Sequence, residues 1–352
     1  MGRSSEVSKP GDLPCPMSII ALRGAECWYY FEIFFQPMRS FLLTAVCVVV
    51  AMLCNQDLYA QNKVFERDPL FENLEQGDKG AILMVHFGTT HDDTRALTLD
   101  AINAAVKLQH SNLEVREAYT SRIIIKRLAD HKGIIKLNPS QALNKLHEDG
   151  YTHVLIISTS LTNGVEMVSV RQEAEQVEGL FKRLRVATPL LYHESDYSEM
   201  LKVMTEGAQP DVATIWVGHG TYDVATAQYA MLDHMLQIGG YTNIMIGCVE
   251  GYPHFEQALQ RLKASGLKKV LLRPLMIVAG EHAKEDIAGE WQELLTKEGY
   301  EVEATIQGLG ELPQILKVIN DKIDFYSNHR RVLIGEKKKV YEVTGEKLHA
   351  DE

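Results

Sequence analysis

The chain has 352 residues, 45% of them hydrophobic and 24% charged, with a formal net charge of -11. That is the composition of a globular protein with a buried core, and the length accommodates one large domain or two moderate ones. Basic residues gather only in short clusters such as "NHRRVLIGEKKKV" near the C-terminus. An acidic chain without a basic stripe excludes nucleic acid as the expected partner.

The N-terminal stretch does not read as fold. Residues 38–60, "MRSFLLTAVCVVVAMLCNQDLYA", place Arg39 before an apolar run from Phe41 to Cys54 and end on Leu58-Tyr59-Ala60. This is the layout of a secretory signal peptide cleaved after Ala60. The run is shorter than the roughly 20 apolar residues that span a bilayer. Met38 is then the expected start, and residues 1–37 an extension outside the translated protein. Cys54 leaves a lipid anchor open as an alternative, although Leu53 before it is larger than lipidation favours. Export is expected, to the periplasm or to the outer membrane. Of Cys15, Cys27, Cys47, Cys54 and Cys248, only Cys248 survives cleavage. No internal disulfide is then available, and stability must come from the core.

After a linker at 61–78, apolar strand-like runs alternate with amphipathic stretches: "GAILMVHFG", "TLDAINAAVKLQ", "THVLIISTSL", "RQEAEQVEGLFKRL", then "VATIWVGHG", "AQYAMLDHMLQ", "NIMIGCVEG", "FEQALQRLKASG" and "KKVLLRPLMIVAG". Buried strands alternating with helices predict α/β lobes with parallel sheets covered on both faces. An internal repeat divides the pattern. Residues 141–164 align without gaps on 257–280, and "MVHFGT" (84–89) aligns on "WVGHGT" (216–221). Two similar lobes are expected, at 79–200 and 201–330, followed by a charged tail at 331–352.

In parallel sheets ligands bind beyond the carboxyl ends of the strands. The second lobe puts His219 at one such end ("VGHGT"), Glu250 at the next ("IGCVEGYP") and His282 after the third ("IVAGEHAKED"). Two imidazoles and a carboxylate suit a borderline divalent metal such as Co2+ or Fe2+, and the same groups can take up protons. The flanking glycines are expected to let the backbone approach a substrate closely. Taken singly, a histidine after a strand is more often a hydrogen-bonded turn residue, and Glu250 a helix N-terminal charge. By the repeat, the first lobe carries Phe87 where the second has His219, and Glu166 where it has His282.

The chain from Gly80 to about Asp324 resembles the anaerobic sirohydrochlorin cobaltochelatases, relatives of the class II ferrochelatases. The matching stretches are "FGTTHDDTR", "REAYTSRIIIKRL", "GHGT", "AMLDHML", "VEGYP", "PLMIVAGEHAKEDIAGE" and "GLGELP". The resemblance implies a bilobal chelatase fold with a tetrapyrrole cleft between the lobes. It also implies that His219, Glu250 and His282 are the metal-binding and catalytic set. One histidine accepts a pyrrole proton while the other and Glu250 hold the metal; which does which stays open. Phe87, Leu161, Met167 and Tyr252 are candidates to face the macrocycle, with plain core packing the alternative for each.

Two positions depart from the family pattern. Ser160 stands where the family usually has a histidine, and His86 where it commonly has a serine. With Phe87, Leu161 and Glu166, these are the candidate tetrapyrrole contacts of the first lobe. Two functions follow. One is a chelatase that inserts Co2+ or Fe2+ into sirohydrochlorin. The other is an exported haem-binding protein that captures haem or removes its iron for iron acquisition, with His86 as an axial ligand. A membrane contact would come through the signal or lipid anchor, and a homo-oligomer is left open.

Overall fold

The computed structural model describes residues 64–281 and 283–347, within a compact unit that begins at Val64. The extension 1–37, the signal-like segment 38–60 and His282 lie outside the described residues.

In chain order, β1 (Phe65–Arg67) leads to β2 (Gly80–His86). A helical turn (Asp92–Arg95) and a π-helical turn (Ala96–Asp100) run into α1 (Ala101–Gln109). Then come β3 (Glu114–Tyr119), α2 (Arg122–Lys132), α3 (Pro139–Glu148), β4 (His153–Ser158), α4 (Val165–Val177) and β5 (Arg183–Val186). The second half holds α5 (Glu194–Thr205), β6 (Val212–Gly220), α6 (Thr226–Ile238), β7 (Ile244–Glu250), α7 (Phe255–Ser265) and β8 (Lys269–Leu275). A π-helical segment (Ala283–Trp291), α8 (Gln292–Lys297), β9 (Glu301–Ala304), α9 (Pro313–Asn328), β10 (His329–Arg331) and α10 (Ile334–Thr344) complete the order.

Eight of the strands form two four-stranded sheets, β3-β2-β4-β5 and β7-β6-β8-β9, parallel throughout. The α/β expectation is borne out, and the sequence repeat corresponds to this shared strand order. The central strands are apolar without alternation because both faces are covered: β4 is buried at every position and β2 at all but Gly80. Local chemistry sets the helix ends. Asn138 and Gln141 form a capping box before α3, with Pro139 in its first turn. Ser121 caps α2, and Gly133 closes it in the left-handed conformation.

One core joins the halves. Met84 and Leu155 of the first sheet, Trp216 and Ile246 of the second, and Ile315, Ile319 and Ile323 of α9 belong to the same buried cluster. Lys322 on α9 is buried and pairs with Asp196 in the first turn of α5 at 3.3 Å. Burial holds its ammonium below the usual lysine range. Two segments differ from expectation. Within the linker 61–78, Phe65–Arg67 forms β1, which pairs antiparallel with β10. Of the charged C-terminal residues, 334–344 form α10, which buries none of its side chains. No described helix is long and apolar enough to cross a membrane.

Candidate metal and tetrapyrrole site

The carboxyl edge of the second sheet is built around paired strand ends. β6 is buried from Ala213 to Gly218 and then emerges as His219-Gly220. Gly220 pairs in register with Glu250, the last residue of β7. Gly220 has φ +79°, and a Cβ there would stand 1.6 Å from the Glu250 carbonyl oxygen. Gly251, at φ +76°, would meet the Thr221 carbonyl oxygen at 2.2 Å, and Gly218 the Tyr229 ring at 2.6 Å. These glycines therefore serve the packing of β6 against β7 and α6.

The consequence is that His219 and Glu250 end neighbouring strands, offset by one residue in register. Neighbouring strands lie about 4.8 Å apart. His219 is half-buried, with Nδ1 3.2 Å from the Gly220 carbonyl oxygen, and Glu250 is exposed. Among the described residues no three His, Cys, Asp or Glu side chains are grouped to hold a metal ion, and His282 lies outside those residues. Asp233 of the "AMLDHML" motif is a strut instead. Its carboxylate accepts from Ile246 N at 2.9 Å and from Arg261 and Gln237, tying α6 to β7 and α7. Cys248 is a buried free thiol, pushed up to about 12 by burial, which leaves it without thiolate reactivity near neutral pH.

The first sheet ends differently. His86 closes β2 with no exposed surface. Its Nδ1 lies 3.0 Å from Thr159 Oγ1 and its Nε2 3.0 Å from Asn103 Oδ1. Asn103 Nδ2 donates in turn to Glu117 at 2.9 Å, and Lys136 donates to the other Glu117 oxygen. The amide oxygen of Asn103 can only accept, so Nε2 carries the proton and Nδ1 accepts from the threonine hydroxyl. Burial keeps the ring neutral by holding it below the usual histidine range. Both nitrogens are thus committed inside the protein, at odds with an axial-ligand role.

The remaining first-half candidates separate into surface and core. Phe87 is 54% exposed, beside the mouth of the sheet. Tyr252 (48%), Tyr222 (86%) and Val224 (87%) add exposed apolar surface after β6 and β7. Leu161 and Met167 are buried, Leu161 in the core that joins the halves. Ser160 Oγ accepts from Ser158 Oγ at 2.9 Å, and Ser160 N donates to the same hydroxyl at 3.1 Å. Glu166 is half-buried in the first turn of α4, where its charge complements the helix N-terminus.

A cavity of about 250 Å³, lined in part by Val212, Lys269, Arg273 and Glu301, opens at the other edge of the second sheet, where its strands begin. It sits away from His219 and Glu250, and ligands of parallel sheets bind at the carboxyl edge. His91, which the sequence reading left without a role inside "FGTTHDDTR", reaches Glu281 across the boundary between the halves at 3.0 Å.

Comparison with known proteins agrees with this architecture. A family model described as cobalt chelatase (CbiK) matches residues 80–326. The sirohydrochlorin cobaltochelatase of Salmonella typhimurium is 33% identical over 244 residues, covering 67% of this chain and 92% of that protein. The sirohydrochlorin cobaltochelatase CbiKC of Nitratidesulfovibrio vulgaris is 29% identical over 252 residues, covering 68% and 87%. Among solved structures, SirB from Bacillus subtilis with Fe3+ shares the fold at a TM-score of 0.51 and 13% identity, over 70% of this chain and 94% of that one.

Proposed function

Because this chain belongs to the cobalt chelatase family and is thereby an enzyme that inserts a metal ion into a tetrapyrrole, we propose that His219, Glu250 and His282 carry out the insertion. Sirohydrochlorin and Co2+ are the substrates this reading assigns. The observation that carries it is the Gly220–Glu250 pairing, which sets an imidazole and a carboxylate on adjacent strand ends at the carboxyl edge of a parallel sheet.

The chemistry asks little covalent work of the protein. Each M2+ that enters the macrocycle replaces two pyrrole N–H protons, which leave as two H+. A carboxylate and an imidazole can replace part of the hydration shell of the incoming ion, and a neutral imidazole can accept a pyrrole proton within hydrogen-bond reach. Phe87, Tyr222 and Tyr252 supply flat apolar surface for the macrocycle. The test is an anaerobic absorbance time course with the full chain, sirohydrochlorin and Co2+, and His282→Ala as the control. Insertion that is lost in the variant supports the assignment. A rate no faster than the protein-free reaction would end it.

We further propose that the protein is exported, on the strength of residues 38–60. N-terminal sequencing of the protein recovered from the cell envelope should begin at Gln61. Haem capture is the second reading for an exported copy, and the committed nitrogens of His86 weigh against the ligand it relied on. A haem titration distinguishes the two, since a histidine-ligated haem shows a shifted Soret band that His86→Ser would abolish.

A further inference from the structure

Between β8 and the π-helical segment, residues 276–281 cross from one half of the molecule to the other. Ile277 and Val278 pack with Leu99, Tyr119 and Leu128 of the first half. The backbone N–H groups of Leu309 and Gly310 donate to the carbonyls of Met276 and Ile277 at 2.8 and 2.9 Å. His91 then ties down the end of the crossing: its Nε2 lies 3.0 Å from Glu281 Oε2. The approach is close along the loop, since a Cβ at Gly280 would stand 3.8 Å from the His91 ring and 3.9 Å from Thr89 Oγ1.

His91 is itself held firmly. Its backbone N–H donates to Thr89 Oγ1 at 3.1 Å. Lys132 Nζ donates to the Thr90 carbonyl at 2.7 Å and to Asp92 at 2.6 Å. The bond therefore links an anchored loop of the first half to the residue immediately before His282.

We propose that His91 is a positioning residue for metal insertion: by holding Glu281 it fixes the end of the 276–281 crossing, the residue next in sequence to His282. The inference rests on the reading of His282 as part of the metal set. An ion pair this exposed, with side chains 29% and 57% open to solvent, contributes little to global stability. Its effect falls instead on placement, where an error of about 1 Å can cost on the order of a hundredfold in rate. His91 acts through Glu281, on a segment whose other anchors are the packing of Ile277 and Val278 on the first half and the burial of Ala279 and Ala283 in the core of the second.

The experiment compares the wild-type full chain with His91→Ala, His91→Gln, Glu281→Gln and the double variant His91→Ala/Glu281→Gln. Co2+ insertion kinetics and amide exchange of residues 279–283 are measured on each. In His91→Ala, kcat should fall about tenfold with KM for sirohydrochlorin unchanged, the melting temperature unchanged, and exchange at 279–281 faster. His91→Gln, which keeps a donor within reach of Glu281, should recover most of the rate. The double variant should be no worse than the worse single variant.

Retained activity with unchanged exchange in His91→Ala would overturn the proposal, as would additive losses or failure of the glutamine to rescue. If His91→Ala does not fold, Glu281→Gln reads the same bond from its other side. If the wild type inserts no metal, the functional reading fails, and the exchange data still decide whether His91 holds the loop.

Discussion

At the carboxyl edge of the first sheet the histidine that ends β2 is sealed inside, with Asn103 and Thr159 on its two nitrogens. At the same edge of the second sheet His219 lies one residue further along and emerges half-buried beside the exposed Glu250. The strand orders of the two sheets are the same, so the difference arises after the last buried residue of each strand. A duplicated architecture supplies two equivalent edges. The histidine of the first edge is sealed behind its neighbours, whereas that of the second reaches the surface beside a carboxylate.

The most severe way to break this comparison is Gly220→Ala. A Cβ driven into the Glu250 carbonyl should separate β6 from β7 and cost more than about 4 kcal/mol. Denaturant unfolding should show a much lower midpoint or no folded protein; a near-native midpoint would show that the strand ends can part freely. His219→Ala comes next. Stability should hold while Co2+ insertion slows about a hundredfold, roughly 2.7 kcal/mol of barrier. A loss of stability with the rate intact would reverse the roles assigned to the two edges.

His86→Ala should do the opposite of His219→Ala. Leaving Thr159 and Asn103 unpaired costs about 1–3 kcal/mol of stability, with insertion kinetics preserved. The pH dependence has a definite sign. Burial depresses the folded-state pKa of His86 against the pull of Asn103, Glu117 and Asp100, with Lys136 adding to the depression. The unfolded chain therefore takes up this proton first. Stability is fully present above the unfolded value of 6.5 and is lost as the pH falls from there towards the folded value. His153 and His193, also depressed chiefly by burial, act in the same direction. Thermal melts between pH 7.5 and 5 should show this decline, with a shallower slope in His86→Ala.

The smallest effect is expected at Phe87. Replacing this exposed ring by alanine should raise KM for sirohydrochlorin several-fold, about 1 kcal/mol of lost apolar contact, and leave the melting temperature unchanged. An unchanged KM would place the macrocycle elsewhere.

The central strands were legible because burial on both faces writes them as unbroken apolar runs: "AILMV" in β2 and "HVLIIS" in β4 need no context. Three of the four edge strands were not; the fourth, β7, is buried along most of its length and reads as an apolar run. β3 ("EVREAY"), β5 ("RLRV") and β9 ("EVEA") mix charge with apolar residues, because one side of each lacks a neighbouring strand. For the same reason "RQEAEQVEGLFKRL" reads as one amphipathic stretch, whereas α4 stops at Val177 and Arg183 begins a strand. His219 and Glu250 could be singled out because each follows an apolar run and borders a glycine. What the glycines do could not, since their close approaches are to Glu250, Thr221 and Tyr229 on other elements.

The sequence by itself determined the α/β class, the internal repeat and the family, because these rest on hydrophobic period and on motifs local to the chain. Tertiary structure alone decided which polar residues are committed. Asn103 stands 17 residues from His86, and Glu281 stands far along the chain from His91. The partner that silences one histidine, or gives another its place, comes from a different element. Only packing brings the two within hydrogen-bond range.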